Sequence, residues 1–216
     1  MILDDIVEKT LVRVAEDKEK VSLEVMRQKA YMTKSKLPAF AFENAIKERQ
    51  FGFICEVKKA SPSKGVIAED FPYADIACDY ERAGAACISC LTEPYFFQGK
   101  DEYLTEIKRR VNIPVIRKDF VVDEYMIYQA KVIGADAVLL ICSILTDEQL
   151  ETAKTTAQNF YDYFGGDAFF SNYGISREKV DELFIHQNYI QILKEMTVDL
   201  LAEDYKAEYD AQYSEL

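Results

Sequence analysis

A glutamate and a lysine two residues apart, Glu56-Val57-Lys58, end the short apolar run that begins at Phe51. On a β-strand alternate residues share a face, so these two side chains project together. Opposite charges in a partly dry pocket keep each other ionised, because their attraction offsets the cost of desolvation. The competing reading is a pair of exposed residues where a strand frays into a loop. A second lysine, Lys118, ends another apolar run in Ile116-Arg-Lys-Asp-Phe120. An ammonium at such a strand end can bind phosphate or donate a proton, and desolvation makes it the better acid. A solvated Arg-Lys-Asp turn is the alternative. Ser61-Pro-Ser-Lys-Gly65 could wrap a phosphate with hydroxyls, amides and one ammonium, although it lacks the GxxxxGK spacing of a Walker loop. Tyr95-Phe-Phe97 places three aromatics in a loop, either as walls for a planar ring or as local core.

Other chemistries find little support. His186 is the one histidine and lies inside a helical pattern without a nucleophile or ligand cluster nearby, so no histidine-based triad is expected. Cys87-Ile-Ser-Cys90 is formally a CxxC, yet it sits in a strand-like run where positions i and i+3 face opposite ways. No second cysteine pair or histidine completes a zinc site, so the five cysteines read as reduced core residues. No metal and no cofactor are expected. Among 216 residues, Lys and Arg number 26 against 38 Asp and Glu, a net charge of -12. That balance argues against nucleic acid or an anionic membrane surface as partner, but leaves room for a small phosphorylated substrate. No apolar run approaches the ~20 residues that span a bilayer. The acidic start Met1-Ile-Leu-Asp-Asp-Ile-Val-Glu8 is no signal peptide, which makes the cytoplasm the expected compartment.

The elements that would position these groups alternate along the chain. Ile2, Leu3, Ile6, Val7, Thr10, Leu11 and Val14 follow the helical period, and the first fifty residues read as helical. Apolar strands centred near Cys55, Ile88, Ile116 and Leu139 then alternate with helices over 75–83, 103–110 and 124–133, with Gly84 as a C-cap. Continuous apolar strands separated by helices predict a parallel sheet covered by helices, either a (βα)8 barrel or an open doubly wound sheet. The dinucleotide fingerprint GxGxxG is absent after the first strand. Glu56 and Lys58, Thr92 and Glu93, and Lys118 and Asp119 fall at C-terminal strand ends, where barrels place their chemistry.

Past residue 150 the rhythm is expected to stop. Residues 151–216 carry 13 acidic and 5 basic side chains and half of the 14 tyrosines. A helical pattern runs over 176–205, with Ser176 as N-cap. Four more βα units at 23 residues or more would need over 90 residues. Two domains are therefore expected: residues 1–150 as a half barrel and 151–216 as an acidic, Tyr-rich, mainly helical tail.

Taken together, Glu56-Val-Lys-Lys-Ala-Ser-Pro-Ser-Lys-Gly65, Leu91-Thr-Glu with Phe96-Phe-Gln-Gly99, Pro114-Val-Ile-Arg-Lys-Asp-Phe120 and Gly134-Ala-Asp-Ala-Val-Leu-Leu-Ile141 resemble the indole-3-glycerol phosphate synthase family, as does the N-terminal Met1-Ile-Leu-Asp-Asp-Ile-Val. The resemblance covers about residues 1–150. It implies a (βα)8 barrel lyase of tryptophan biosynthesis that closes an indole ring on a carboxyphenylamino-deoxyribulose phosphate with loss of carbon dioxide and water. By the same resemblance, Lys118 is the general acid, Lys58 the mobile-loop lysine, and Glu56 the carboxylate that orients them. Ser61 belongs to that loop, and Phe97, Phe120 and Leu139 line the anthranilate pocket. The family's fifth-strand general base, sixth-strand asparagine and phosphate-binding turns find no counterpart, and Glu178, Glu182 and Glu195 are not promoted to that base. The expectation is an incomplete site, weak or inactive in a lone chain; the rival is a non-catalytic half barrel that pairs with a second copy or a partner through open sheet edges or the tail helix.

Overall fold

A computed structural model describes residues 2–38 and 40–158, together with the backbone of 162–164. The chain divides into two units, Met1–Gly166 and Asp167–Leu216, and every described residue lies in the first. The tail helix expected over 176–205, with His186, lies outside the described residues.

Three helices precede the sheet: α1 (Ile2–Lys20), α2 (Leu23–Met32) and α3 (Ala41–Lys47). Of the predicted apolar stripe on α1, Ile6, Thr10 and Val14 are the buried residues, one per turn. The Thr10 hydroxyl donates to the Ile6 carbonyl at 2.8 Å, which lets a polar residue sit in that seam. Ser22 caps α2 by accepting from the Val25 amide.

The strands are β1 (Ile54–Val57), β4 (Cys87–Leu91), β5 (Val115–Lys118), β6 (Ala137–Leu139) and β7 (Asp162–Phe164), with a small hairpin of β2 (Ala60–Ser61) and β3 (Gly65–Val66) after β1. They alternate with α4 (Tyr73–Arg82), α5 (Asp101–Arg110), α6 (Glu124–Ile133) and α7 (Asp147–Gln158). All four strands expected from the sequence form, in parallel, and each pairs with the next in chain order: β1-β4-β5-β6-β7. A doubly wound sheet reverses direction at a switch point, whereas this order advances one way only, as a barrel's does.

The alternation continues past residue 150, contrary to expectation. Among the described side chains of α7 the buried ones are Leu150, Ala153, Thr156 and Ala157, a stripe too small and too polar to stand out as an apolar period. β7 is three residues long, with an aspartate first, and so lacks the continuous apolar run that marks a buried parallel strand. Ser61-Pro-Ser-Lys-Gly65, a loop rich in turn-forming residues, closes the β2–β3 hairpin. Gly84, at φ 94°, follows α4 in the left-handed region that a C-terminal glycine supplies.

Register decides which side chains meet. Glu56 pairs with Ser89, Ser89 with Ile116 and Ile116 with Ala137, so these four form one row across one face of the sheet. Phe42 of α3 packs beneath that face with Cys87, Ile116 and Ala137. On the opposite face Val57, Cys90, Arg117 and Val138 form the next row, and helices α4 to α6 cover it. Cys87 and Cys90 thus fall on opposite faces.

Candidate active site

Val57 is buried against the helices, so the residues on either side of it, Glu56 and Lys58, turn to the other face at the C-terminal end of β1. Lys118 stands two residues beyond Ile116 on β5 and so reaches the same face one level higher. The three groups converge. Lys58 Nζ donates to Glu56 Oε1 at 2.6 Å, Lys118 Nζ lies 3.7 Å from Glu56 Oε2, and the Ser89 hydroxyl donates to Oε2 at 3.5 Å. Each of the three side chains keeps about a third of its surface accessible, at 30–32%. One carboxylate shared by two ammoniums leaves a local excess of one positive charge, suited to an anionic substrate, and leaves a proton donor within its reach.

Phe97 and Phe120 are both half-buried and stand with ring centroids 6.0 Å apart and planes inclined at 35°. Leu139 lies two residues past Ala137, on the Lys118 side of the sheet, half-buried against the Phe42 and Ile116 cluster. Ser61 stays within its hairpin, where its hydroxyl accepts from the Lys64 amide at 3.3 Å. The geometry therefore brings Glu56, Lys58 and Lys118 into direct contact and pairs Phe97 with Phe120, while Ser61 bonds only locally.

The other strand-end polar residues are consumed by the architecture. Asp119 is 1% exposed and accepts from Arg13 Nη2 at 2.8 Å, the Thr92 hydroxyl at 2.7 Å and the Phe120 amide at 2.8 Å, with Arg117 Nη2 3.4 Å away. Burial pushes the Asp119 pKa up, but Arg117 and Arg13 outweigh it and hold the carboxyl below its ordinary value. Arg117, also 1% exposed, spends its fork on Thr92, Gln129, the Met126 carbonyl and Asp101. At Asp101 burial wins over the attraction of Arg117, and its pKa is raised. Glu93 is fully buried and accepts from the amides of Tyr95, Phe96 and Phe97 at 2.7–3.0 Å, which moulds the loop that carries Phe97. Gly99 closes that loop so tightly that a Cβ would stand 2.5 Å from the Leu91 carbonyl oxygen.

Sequence reasoning named Thr92, Glu93 and Asp119 as strand-end groups but not the network of Arg13, Arg117 and Asp101 around them. The alternation Ile116-Arg-Lys-Asp119 held the clue: Lys118 on the inner face forces Arg117 to the helix side, where a guanidinium must be paired.

Comparison with known proteins decides what this arrangement belongs to. The family model described as indole-3-glycerol phosphate synthase matches residues 3–161. The chain belongs to the indole-3-glycerol phosphate synthase family. It is 55% identical over 151 residues to the indole-3-glycerol phosphate synthase of Ruminiclostridium cellulolyticum, covering 70% of this chain and 58% of that protein. The Endomicrobium trichonymphae synthase is 52% identical over 158 residues, covering 73% and 61%, and that of Lachnoclostridium phytofermentans 50% over 160 residues, covering 69% and 59%. The chain thus spans about three fifths of the length of these relatives. The family's (βα)8 barrel agrees with the one-way parallel order of the five strands described here. Every residue of the converged cluster, and both phenylalanines, lie within the matched span.

Proposed function

We propose that this chain carries the acid half of an indole-3-glycerol phosphate synthase site and acts on 1-(2-carboxyphenylamino)-1-deoxyribulose 5-phosphate. The observation that carries the reading is the shared carboxylate: Glu56 holds Lys58 at 2.6 Å and Lys118 at 3.7 Å on the inner face of a one-way parallel sheet. Lys118 is the general acid. Its ammonium protonates the substrate's carbonyl oxygen as the aromatic carbon attacks the carbonyl carbon, so that the new carbon–carbon bond leaves a hydroxyl rather than an alkoxide. Carbon dioxide then departs and restores the aromatic ring, and loss of the hydroxyl as water completes the indole. Lys58 offers a second ammonium for the substrate's charge and the dehydration step, and Glu56 sets the direction of both lysines. Phe97 and Phe120 flank the anthranilate ring, Leu139 closes the apolar side, and Ser61 sits in the loop that Lys58 opens.

The family's fifth-strand base has no glutamate to match it in β7, whose residues are Asp162, Tyr163 and Phe164. Loss of a general base typically lowers rate by ~10²–10⁴-fold, so slow turnover is expected of this chain. The test is titration of the substrate with the full chain, followed by anthranilate fluorescence. Saturable binding weakened in Phe97→Ala and Lys58→Ala supports the reading; binding indifferent to both overturns it.

A second reading, association between two copies through the sheet edge, draws on Phe51, Phe53 and Ile54. They are 56%, 68% and 38% exposed at the start of β1, the end strand of the described sheet. Sedimentation of the full chain over a concentration range, with Phe53→Ser as control, separates a dimer from a monomer.

A further inference from the structure

Glu93 follows the C-terminal end of β4 with none of its surface exposed, and no ammonium or guanidinium forms an ion pair with it among the described residues. Backbone meets its carboxylate instead. Oε1 accepts from the Tyr95 amide at 2.9 Å, and Oε2 from the amides of Phe96 and Phe97 at 2.7 and 3.0 Å. The Glu93 carbonyl accepts from the Gly99 amide at 2.7 Å, so both ends of the turn are tied to one residue. Gln98, between them, takes the left-handed φ of 52°. Three converging N–H groups make a nest for one negative charge, and such charge-assisted bonds are roughly twice as strong as neutral ones.

The simple account is that a sharp turn leaves amides that any acceptor can satisfy. Short polar side chains do this at many turns, whereas a fully buried charge is a costly acceptor. The geometry adds which residue is held last. Phe97 supplies the third amide, and its ring stands 6.0 Å, centroid to centroid, from that of Phe120. The facing wall is built in the same way: Asp119 Oδ1 accepts from the Phe120 amide at 2.8 Å. The two carboxylates are linked through Thr92, next to Glu93 in the chain. Its hydroxyl donates to Asp119 Oδ2 at 2.7 Å, and its amide donates to the Lys118 carbonyl at 3.1 Å. Each ring of the apolar corner therefore hangs on a backbone amide fixed by a buried carboxylate. A gap of about 1 Å forfeits up to half of a packing contact, so the corner depends on both anchors.

We propose that Glu93 is a positioning residue: through the amides of Tyr95, Phe96 and Phe97 it fixes the Phe97 ring against Phe120, and so sets the affinity for the aromatic part of the substrate. The affinity half rests on the reading above that these two rings flank the anthranilate. Glu93 has no exposed surface and does not touch the substrate; it acts through Phe97. The position requires a carboxylate. Glutamine offers one oxygen, and its NH₂ group would face a backbone N–H, donor against donor.

The test pairs a spectrum with a binding cycle, both on the full chain. Fluorine spectra of chain labelled with 4-fluorophenylalanine are assigned at two of the 13 phenylalanines by Phe97→Leu and Phe120→Leu. Glu93→Gln should move or broaden both resonances while keeping the wild-type circular dichroism. Titration with 1-(2-carboxyphenylamino)-1-deoxyribulose 5-phosphate, read by anthranilate fluorescence, should show Glu93→Gln raising Kd about tenfold. Added to Phe97→Ala, the same change should raise Kd by less than about twofold, whereas a merely structural role would add in full. Unmoved resonances in folded Glu93→Gln, or full additivity with Phe97→Ala, overturn the proposal. No saturable binding by wild-type chain sinks the function proposed above, and the fluorine resonances then decide alone whether Glu93 positions Phe97. If Glu93→Gln does not fold, hydrogen exchange of the wild type decides. The amides of residues 95–97 should exchange at least about 100-fold more slowly than in an unstructured chain, and exchange at unstructured rates overturns the proposal.

Discussion

Replacing Asp119 with asparagine preserves the side chain's shape and removes its charge, which isolates the electrostatic role of this carboxylate. In the native chain it answers two guanidiniums, at 2.8 Å from Arg13 and 3.4 Å from Arg117, with no solvent reaching its side chain. Arg117 is itself 1% exposed, so the variant leaves a buried cation with Asp101 as its remaining carboxylate. Removing one member of a buried pair costs about 3–5 kcal/mol, because the other charge stays desolvated. Domains of this size have ~5–15 kcal/mol in hand, and each kcal/mol moves Tm by about 2–4 °C. Asp119→Asn should therefore lower Tm by roughly 6–20 °C. The pH dependence carries a second signature. The folded carboxyl has a depressed pKa, so its contribution is fully present above the unfolded value of about 3.9 and is lost as pH falls through the lower folded value. The variant should lack that part of the acid limb and lie closest to wild type at the lowest pH. Urea and thermal unfolding from pH 2 to 7 measure both effects, with Glu24→Gln as comparator. That change breaks an exposed pair with Arg27 and should cost under about 1 kcal/mol. A loss at Asp119 no larger than at Glu24 would refute the reasoning.

The strand frame was legible because parallel strands buried on both faces read as unbroken apolar runs: Ala86 to Leu91 and Pro114 to Arg117 stand out from composition alone. Helix α6 was predicted over the same residues the structure shows, and the structure adds that Asp123 caps its start and Gly134, in the left-handed region, its end. Strand β7 was not legible. Three residues, one of them charged, have no periodic signature, and it exists through pairing with β6. At the site, Glu56 and Lys58 could be placed on one face by counting, and Lys118 by its strand end. Their mutual contact could not, because it depends on parallel register across β1, β4 and β5. The network around Asp119 was hidden for the same reason: Arg13 lies 106 residues away in sequence.

Two further outcomes follow from packing. Gly99→Ala drives a Cβ to 2.5 Å from the Leu91 carbonyl oxygen, a backbone atom that cannot step aside, and should cost about 1–3 kcal/mol in urea unfolding. It should also disturb the near-ultraviolet signal of the neighbouring Phe96 and Phe97. Asp136→Asn strips the charge partner from Lys108 in a pair whose side chains are each 8% exposed, so unfolding at pH 7 should come about 3–5 kcal/mol sooner.

The most direct test of the shared-carboxylate site is turnover of 1-(2-carboxyphenylamino)-1-deoxyribulose 5-phosphate by the purified full chain, read as the rise of indole fluorescence. Lys118→Ala serves as control, and the Ruminiclostridium cellulolyticum synthase sets the scale. The predicted result is turnover ~10²–10⁴-fold below that relative and abolished in Lys118→Ala. Turnover that is indifferent to Lys118, or none at all from folded chain, would contradict the account.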